Sequence, residues 1–422
     1  MMLGLGKVAR PLLAMSAGIL ACVIALAPAS ATEGYFQNGY GARQKALAGA
    51  GAADSRDATA AALNPAGLVH VGTEASIAAS LFSPRREVES PAFFGTVESG
   101  SDYFIVPNLA ASYRFAPNPF VDVVGFTVYG NGGMNTDWPA AANAFPAPAG
   151  PGLFGGGKAG VDLQQALISL AFAKQLGPVA VGIAPILARQ QFKARGLGAF
   201  NIPPTDTDVS WGGGVRGGIE VSLSPALRIG VAASSRIWTQ DFDKYSGLFA
   251  ERGGFDIPPS LQAGIAFDLT PNLTLLADYK HIWFGSVKSI ANPSTNLAPF
   301  GSDNGPGFGW SDVDVVKLGV EWRSSPDLTL RAGYAYATNA ISARDVQLNI
   351  LAPAVVQHHI TAGFEYRLDR NLSVEVAGLY APEGEQSGFF LDGVTPLALR
   401  MHQYEGTVGF KYKWDEPPAA LK

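Results

Sequence analysis

The sequence predicts an all-β protein: a 14-stranded antiparallel transmembrane β-barrel with an N-terminal hatch, or plug, segment. The 422 residues are 47% hydrophobic and only 15% charged, against about 25% charged residues in soluble domains. Apart from residues 11–29, no stretch of about 18 or more residues is uniformly apolar, which excludes a bundle of membrane helices. Apolar and polar residues instead alternate in segment after segment. Because only helices and closed barrels satisfy their backbone hydrogen bonds in lipid, the alternation predicts a barrel.

Residues 1–31 have the pattern of a secretory signal peptide. Lys7 and Arg10 provide a positive region, an apolar run extends from Leu12 to Leu26, and residues 29–31 form an A-x-A cleavage site. The mature chain is therefore predicted to begin at Thr32, and an uncleaved N-terminal anchor is the alternative. The only cysteine lies inside this segment, so the mature chain is predicted to have no disulfide and no thiolate metal site.

Residues 32–73 do not alternate and are rich in alanine and glycine. A short helix is expected from about residue 55 to Leu63, with Asp54 as its cap. Asn64 is expected to end this helix, because a residue before proline disfavours the helical conformation. About forty residues are too few for an independent domain. A fourteen-stranded barrel has room inside for a plug, so this segment is predicted to be the hatch.

From residue 74 onward the chain repeats one alternating pattern. Short turns rich in Pro, Asn, Ser and Asp alternate with long segments, as in outer-membrane barrels with short periplasmic turns and long external loops. Six short turns and seven long loops make thirteen connections and therefore fourteen strands. The barrel is predicted over residues 74–414, with a periplasmic tail over 415–422. The predicted strands are 74–83, 103–115, 121–130, 163–176, 179–192, 209–223, 227–239, 257–269, 273–283, 313–323, 328–336, 357–368, 372–380 and 402–414.

Aromatic residues cluster near the ends of the predicted strands, where the interfacial girdles of a membrane barrel are expected. The alternative is a general preference of aromatic residues for strands. At the ends that lead to long loops they are Trp211, Trp238, Trp283, Tyr336 and Tyr380, and at the short-turn ends they are Phe115, Trp322, Tyr366 and Trp414.

Three stretches of the hatch resemble the mature N-terminus of the FadL/TodX family of outer-membrane transporters. They are Asn38-Gly39-Tyr40-Gly41, the Ala/Gly-rich residues 48–54, and Asn64-Pro65-Ala66-Gly67-Leu68. The resemblance implies passive transport of hydrophobic molecules, long-chain fatty acids or, in some branches, aromatic hydrocarbons, without a cofactor or ATP. It also implies that ligand is captured among external loops, moves to an internal pocket touching the N-terminus, and leaves sideways through a kink in the third strand.

By this resemblance the extreme N-terminus of the mature chain is the gate. The residues concerned are Thr32, Glu33, Tyr35 and Phe36. Tyr35 and Phe36 would offer apolar surface to a ligand, and the alternative is that they pack against the barrel wall.

The third predicted strand contains a break in its alternation. Its apolar residues follow one phase up to Val123 and the other phase from Val124 onward. Two adjacent apolar residues before Gly125 predict a β-bulge, which bends a strand and leaves a residue unpaired. Asp122 would otherwise face lipid. The lateral opening is therefore predicted at Asp122, Val123, Val124 and Gly125.

Charged residues of the strands fall on the face opposite the apolar one and are predicted to point into the lumen. They are Arg216, Arg236, Lys280, Lys317, Arg331, Glu220, Asp278, Glu321, Glu365 and Glu375. One interpretation is a structural ladder of paired charges. The other is that one cation binds a fatty-acid carboxylate, since a charge-assisted pair is strong in a low-dielectric site. Arg216 and Lys280 are the candidates for that role.

The longest predicted loop, 131–161, contains large apolar residues amid Ala, Pro and Gly. They are Trp138, Phe145, Leu153 and Phe154. Exposed apolar residues in a long loop predict ligand capture. The alternative is that the loop packs on itself.

No feature of the sequence indicates an enzyme. There is no G-x-S-x-G elbow, the five histidines lack metal-ligand spacing, and the net charge of −5 disfavours nucleic acid as a partner. No catalytic residue, metal or cofactor is predicted. The expected partners of this monomer are a hydrophobic small molecule, a fatty acid or a hydrocarbon, and the lipid of the bacterial outer membrane. An aromatic hydrocarbon channel of the same family and a general porin are the alternatives.

Overall fold

The computed structural model describes residues 33–117, 119–140, 151–202 and 206–414. The predicted signal peptide, Thr32, Phe145 and the predicted tail at 415–422 lie outside the described residues. Within the described ranges, no helix is both long and apolar enough to cross a membrane.

Fourteen long strands form one antiparallel sheet in which each strand pairs with its neighbours in the sequence. The first and last strands also pair, with Glu74 opposite Lys413, so the sheet closes into a barrel and has no free edge. The predicted antiparallel barrel and its strand number are confirmed. The strands are β1 (Glu74–Ser90), β2 (Phe104–Arg114), β3 (Val123–Asn135), β4 (Gly160–Leu176), β5 (Val179–Arg195), β6 (Asp208–Ser224), β7 (Leu227–Ser234), β8 (Ser260–Thr270), β9 (Leu273–Ile282), β10 (Val313–Arg323), β11 (Leu328–Ala337), β12 (His358–Arg367), β13 (Leu372–Phe389) and β14 (Pro396–Lys413).

Several strands extend further toward the long loops than the sequence predicts. β13 runs to Phe389 and β14 begins at Pro396, so most of the predicted loop 381–401 is a hairpin. Glu383 and Glu385 lie in this extension. Because the extension carries no lipid-facing apolar stripe, the alternation that marks the rest of the strand is missing there.

The predicted seventh strand, 227–239, is interrupted. β7 ends at Ser234, and a separate short strand, Trp238–Thr239, pairs with Gly212 and Gly213 of β6. A second short strand, Gly95–Glu98, forms a hairpin with the outer end of β1.

The outer face of the barrel exposes large apolar side chains, as contact with lipid requires. All nine predicted girdle aromatics lie on this face, with exposed fractions between 37% and 62%. Their exposure agrees with girdles at both ends of the strands.

Residues 33–73 lie inside the barrel and form the predicted hatch. They contain the helices α1 (Gly41–Ala46) and α2 (Ala60–Leu63), followed by a 3₁₀ turn at Pro65–His70. Every residue of α1 is buried, its two charged residues included. A polar plug of this kind fills the lumen and holds its charges in ion pairs with the wall.

The helix in the second half of the hatch is shorter than predicted, and Asp54 does not cap it. It begins at Ala60, while the Asp54 carboxylate pairs with Arg43 at 2.6 Å and with Arg228 at 2.8 Å. Arg56 pairs with it as well, at 2.8 Å, and three guanidinium groups bind this carboxylate more strongly than backbone amides at a cap would. Asn64 is extended, with φ −132° and ψ 103°, and ends the helix as predicted.

The hatch approaches the wall most closely at glycines of the strands. A Cβ atom at Gly182 would overlap the backbone at Ala66. One at Gly218 would overlap the side chain of Asn64. Part of the high glycine content therefore serves close packing between plug and barrel, because a wall without side chains at these points lets the hatch backbone lie against it.

Candidate functional site

The first described residues fold into a tight turn in the lumen. Glu33 and Phe36 exchange backbone hydrogen bonds of 3.0 and 3.2 Å. Gly34, between them, has a φ of +67°, a conformation that favours glycine. A Cβ atom there would also overlap the ring of Phe284. The turn therefore depends on glycine both for its backbone and for its packing.

Tyr35 occupies a box of aromatic rings. The centroids of Phe36 and Phe284 lie 5.2 Å from that of Tyr35, and those of Trp310 and Phe255 lie 5.9 and 6.3 Å away. Tyr35 is 1% exposed. Burying such a ring contributes about 1.5–3 kcal/mol, so these contacts hold the turn in the lumen.

The carboxylate of Glu33 binds two lysines of the wall. One oxygen lies 2.5 Å from Nζ of Lys280 on β9, and the other pairs with Nζ of Lys317 on β10. Burial raises the pKa of Glu33, but the two ammonium groups more than offset this effect and leave the pKa below its usual value. The carboxylate is therefore ionised. The ring of Phe36 adds a cation–π contact, 5.4 Å from the Lys280 ammonium.

The N-terminal segment, defined here as Glu33–Gln37, also pairs with strand β3. The amide of Gln37 donates to the carbonyl of Asn131 at 2.9 Å, and the amide of Gly133 donates to the carbonyl of Tyr35 at 3.1 Å. Phe36 lies opposite Gly132 between these two bonds. The segment thus forms a short antiparallel ladder on β3.

This ladder occupies a part of β3 that the neighbouring strand leaves unpaired. Pairing between β2 and β3 ends at Asn108 and Tyr129. The next residue of β2, Pro107, has no N–H to donate. The pairing of β3 with β4 shifts between Gly130 and Gly132, which makes Asn131 a bulged residue. The edge of β3 from Gly130 to Gly133 is therefore covered by the N-terminal segment instead of β2.

The bulge predicted at Asp122–Gly125 is wrong. The register between β3 and β4 is continuous from Val123 to Gly130. Val123 is buried against the hatch, and a Cβ atom at Gly125 would overlap Leu68. The hatch presents apolar side chains to this part of β3, so Val123 can point inward. The two adjacent valines therefore point to opposite faces of a regular strand, and no bulge is needed. Asp122 pairs with Lys174 at 2.8 Å.

A narrow cleft lies beside the N-terminal segment and contains both cations chosen from the sequence. Arg216, Lys280, Phe36 and Tyr40 line it together with Gln262. It encloses about 460 Å³ of empty space, its open mouth included. The two cations predicted to point into the lumen therefore line one cleft, together with Phe36.

Arg216 is a buried cation without a carboxylate partner among the described residues. Its guanidinium donates to the hydroxyl of Tyr129 at 3.0 Å and to the carbonyl of Ala62. Only 7% of the residue is exposed. A buried guanidinium whose hydrogen-bond partners are all neutral can still bind an anion.

The other inward charges form a ladder of ion pairs that ties the hatch to the wall. Arg331 pairs with Glu321, Glu365 and Glu375 at 2.9, 2.6 and 3.2 Å. Arg43 of α1 joins the same cluster, 2.9 Å from Glu321. These contacts match the structural interpretation of the inward charges.

The remaining inward charges predicted from the sequence also have partners. Asp278 accepts hydrogen bonds from backbone amides of the hatch, Glu220 pairs with His70, and Arg236 pairs with Asp256.

The hatch motif at residues 64–68 positions the plug. The Asn64 side-chain amide donates to the carbonyls of Ala52 at 2.6 Å and Ile219 at 3.2 Å, and its oxygen accepts from Ala66 at 3.1 Å. Pro65, Gly67 and Leu68 are buried in the 3₁₀ turn that follows.

The loop residues predicted to be exposed for ligand capture are buried, so that expectation is wrong for the ones described. Trp138, Leu153 and Phe154 are each 0% exposed. The Trp138 indole donates to the carbonyl of Ile350 at 2.8 Å. The loop packs on its neighbours, because apolar residues in loops that cover a barrel mouth can form their own core.

An aromatic cluster that the sequence analysis missed lies on β5 and on the loop between β7 and β8. Phe192 lies 4.7 Å from Tyr245 and from Phe249, and Phe249 lies 4.7 Å from Phe255. Phe255 also belongs to the box around Tyr35. A continuous path of rings therefore leads from the external loops to the N-terminal segment. Four aromatic residues between 242 and 255 were the signal available in the sequence.

A second cleft lies on the other side of the N-terminal segment, at the unpaired edge of β3. Tyr35, Met134 of β3 and Arg86 of β1 line it. It encloses about 330 Å³, its opening included. Open space therefore adjoins β3 at Gly133, Met134 and Asn135.

Comparison with known proteins tests the resemblance seen in the hatch. A family model described as "Outer membrane protein transport protein (OMPP1/FadL/TodX)" matches residues 252–387. Over these residues the chain is similar to the FadL/TodX family. The matched region lies in the second half of the barrel, whereas the resemblance from the sequence lies in residues 38–68. Two separate parts of the chain thus indicate the same FadL/TodX family.

Solved structures of this family share the fold. The toluene transporter TodX of P. putida has a TM-score of 0.68 at 16% identity, over 89% of this chain and 99% of TodX. A FadL homologue of Pseudomonas aeruginosa has a TM-score of 0.66 at 15% identity, over 90% of this chain and 100% of the homologue. The toluene transporter TbuX of Ralstonia pickettii has a TM-score of 0.62 at 17% identity, over 90% and 99%. No curated protein sequence matches this chain.

The matched family is thus described as outer-membrane transport proteins, and TodX and TbuX are described as toluene transporters.

Proposed function

We propose that this FadL/TodX-family chain takes up long-chain fatty acids by diffusion, with the N-terminal segment as its gate. The observation that carries the proposal is the ladder between that segment and β3. Phe36 lines the cleft with its side chain and pairs with Gly132 through its backbone. A ligand that displaces the Phe36 ring therefore also breaks the pairing between the N-terminal segment and the edge of β3.

Ligand enters along the aromatic rings of the external loops. Phe255 contacts both the loop cluster and Tyr35. Because these rings are buried, they must move apart to let an apolar molecule pass along them from the loops to the gate. Apolar burial favours each step of this path without an energy source.

Ligand leaves sideways into the membrane between β2 and β3. On the side that faces β2, no described strand pairs with β3 from Gly130 to Gly133, and the second cleft adjoins β3 at Gly133. Once the N-terminal segment moves away, nothing in the described wall pairs with this edge. We therefore assign the lateral opening to Gly130–Gly133 and not to Asp122–Gly125.

The cleft favours a ligand with a carboxylate. Arg216 has no carboxylate partner in the part of the chain that the structure describes, and Lys280 lines the same cleft. A fatty acid would place its chain among the rings and its head group near these cations. Aromatic hydrocarbons are the second candidate, because TodX and TbuX are described as toluene transporters and Tyr35 lies in a box of aromatic rings. Mass spectrometry of co-purifying molecules separates the two.

We also propose that the chain is exported through cleavage after residue 31 and works as a monomer in outer-membrane lipid. A general porin fits less well, since the hatch fills the lumen and is held there by buried ion pairs.

The test uses two glycines in matched variants. A side chain at Gly132 would overlap the carbonyl of Tyr35, whereas one at Gly217 meets nothing within 4 Å. We expect Gly132→Ala to displace the N-terminal segment and to raise the initial rate of oleate uptake several-fold. Gly217→Ala should match the unaltered chain. Equal uptake by both folded variants contradicts the proposed function.

A further inference from the structure

The two lysines that hold the gate form a carboxylate-binding site whose present occupant belongs to the chain itself. Glu33 is 0% exposed, and its two oxygens each bind one ammonium group. Lys317 is 1% exposed and Lys280 is 7% exposed. The arrangement has the features of a ligand site for a carboxylate, with the cations provided by the rigid wall and the carboxylate by a terminal segment.

We infer that Glu33 is a tethered internal carboxylate, and that the carboxylate of a ligand takes its place on Lys280 and Lys317 when the gate opens. This inference rests on the proposed function and extends it to the charge of the substrate. It makes the lysine pair a specificity determinant that favours hydrophobic acids over neutral molecules of the same shape.

Departure of Glu33 without a replacement leaves two buried cations close together. Lys317 retains a hydrogen bond of 2.9 Å to the carbonyl of Asn38. Lys280 loses more, because Glu33 is its polar partner among the described residues and the Phe36 ring over its ammonium belongs to the same segment. An unpaired buried charge is unfavourable. Binding of a neutral ligand is therefore weakened by the free energy of leaving the lysines unpaired, whereas a ligand carboxylate pairs with them again.

The site is accessible to a ligand from the cleft. Lys280 lines the cleft directly, beside Phe36 and Gln262. Arg216 lines the same space and adds positive charge along the approach. A carboxylate that enters the cleft therefore reaches Lys280 before Glu33 has left, so that one anion can replace the other in a single exchange.

The experiment compares oleate with oleyl alcohol, which differ only in the head group, on the full chain in a non-ionic detergent. For the unaltered chain we expect oleate to bind at least about tenfold tighter than the alcohol, a difference typical of a charge-assisted pair. In Glu33→Gln the lysines have no internal partner to lose, so both ligands should bind about tenfold tighter than before and oleate should keep its advantage.

The triple variant Glu33→Gln, Lys280→Met, Lys317→Met supplies the decisive comparison. Both ligands should bind it equally, at the affinity that the alcohol has for Glu33→Gln. Lys280→Arg in the Glu33→Gln background should keep the oleate advantage. Glu405→Gln is the control, because it breaks another buried pair between hatch and wall, with Lys45, away from the two lysines.

Two results would overturn the inference: unchanged affinities in Glu33→Gln, or an oleate advantage that persists in the triple variant. Heat-modified mobility on gels verifies that each barrel is folded. If Gly132→Ala raises oleate uptake but Glu33→Gln leaves both affinities unchanged, only the inference on Glu33 fails. If Gly132→Ala leaves uptake unchanged, the proposed gate itself fails.

Discussion

The carboxylate of Glu33 lies 2.5 Å from the ammonium group of Lys280, although 247 positions separate the two residues in the sequence. The contact joins the first described residue to the ninth strand of the barrel. It holds the N-terminal segment in place together with the ladder on β3. Its strength depends on the ionisation of Glu33, which leads to the first prediction.

Acidification should release the N-terminal segment only at low pH. The pKa of Glu33 is lower in the docked state than its usual value of 4.5. The ion pair therefore contributes fully above that value and is lost as the pH falls through the depressed pKa. Conductance in planar bilayers should stay low from pH 7 to 5 and rise in a step below 4.5. Glu33→Gln should show no such step, and a step of the same size in that variant would assign it to another group.

Replacement of Gly34 by alanine should loosen the gate. The residue has a φ of +67°, which costs a side-chain-bearing residue about 1–2 kcal/mol, and the new methyl group would overlap Phe284. Single-channel conductance should increase. Gly177→Ala is the matched control, since Gly177 has a φ of +63° with nothing within 4 Å of its Cβ position. Equal conductance in the two variants would show that the overlap with Phe284 is harmless.

A leucine at Gly125 should act on the hatch and not on the lateral opening. Its side chain would overlap Leu68 and approach Ala61, and overpacking of this kind costs about 1–3 kcal/mol. Protease sensitivity of residues 60–70 should increase while β3 stays paired. Gly217→Leu, with open space around it, should leave the hatch protected. A protected hatch in Gly125→Leu would contradict the packing described here.

Arg43 should be essential for docking of the hatch. It donates to Glu321 at 2.9 Å and to Asp54 at 2.6 Å, and all three side chains are buried. Arg43→Met removes one cation from both carboxylates, which keep Arg228 and Arg331 as partners, and the lost charged hydrogen bonds should cost about 1.5–3 kcal/mol. The midpoint of hatch release in urea should fall markedly. Lys158→Met, which removes an exposed partner of Asp137, should change it little.

Much of the barrel follows from the sequence because lipid imposes a strict rule on one face of each strand. Val316, Leu318 and Val320 are exposed on that face, while Lys317 between them is buried. The alternation of apolar and polar residues is lost where a strand face does not contact lipid. Past Tyr380 the strand β13 continues without an alternation of apolar and polar residues, and next to the hatch Val123 is apolar although it points inward.

The site was only partly predictable, because its contacts join distant parts of the chain. Arg216 and Lys280 were chosen for their charge and inward phase, and both line the cleft. The partner of Lys280 was not predictable, since nothing local connects it to Glu33. The bulge at Asn131 has a local signal in hindsight: the run Gly130-Asn131-Gly132-Gly133 permits irregular pairing.

Ligand can pass only after the N-terminal segment has left β3, and a reversible cross-link between the two can show whether this is so. Gln37 and Asn131 face each other in the ladder, where paired residues lie about 5.5 Å apart, within the range of a disulfide. The only native cysteine is Cys22. In the variant Gln37→Cys, Asn131→Cys, oxidation should abolish oleate uptake and reduction should restore it, with each single variant unaffected. Uptake at the unaltered rate by the oxidised variant, with the disulfide verified by mass spectrometry, would contradict the account.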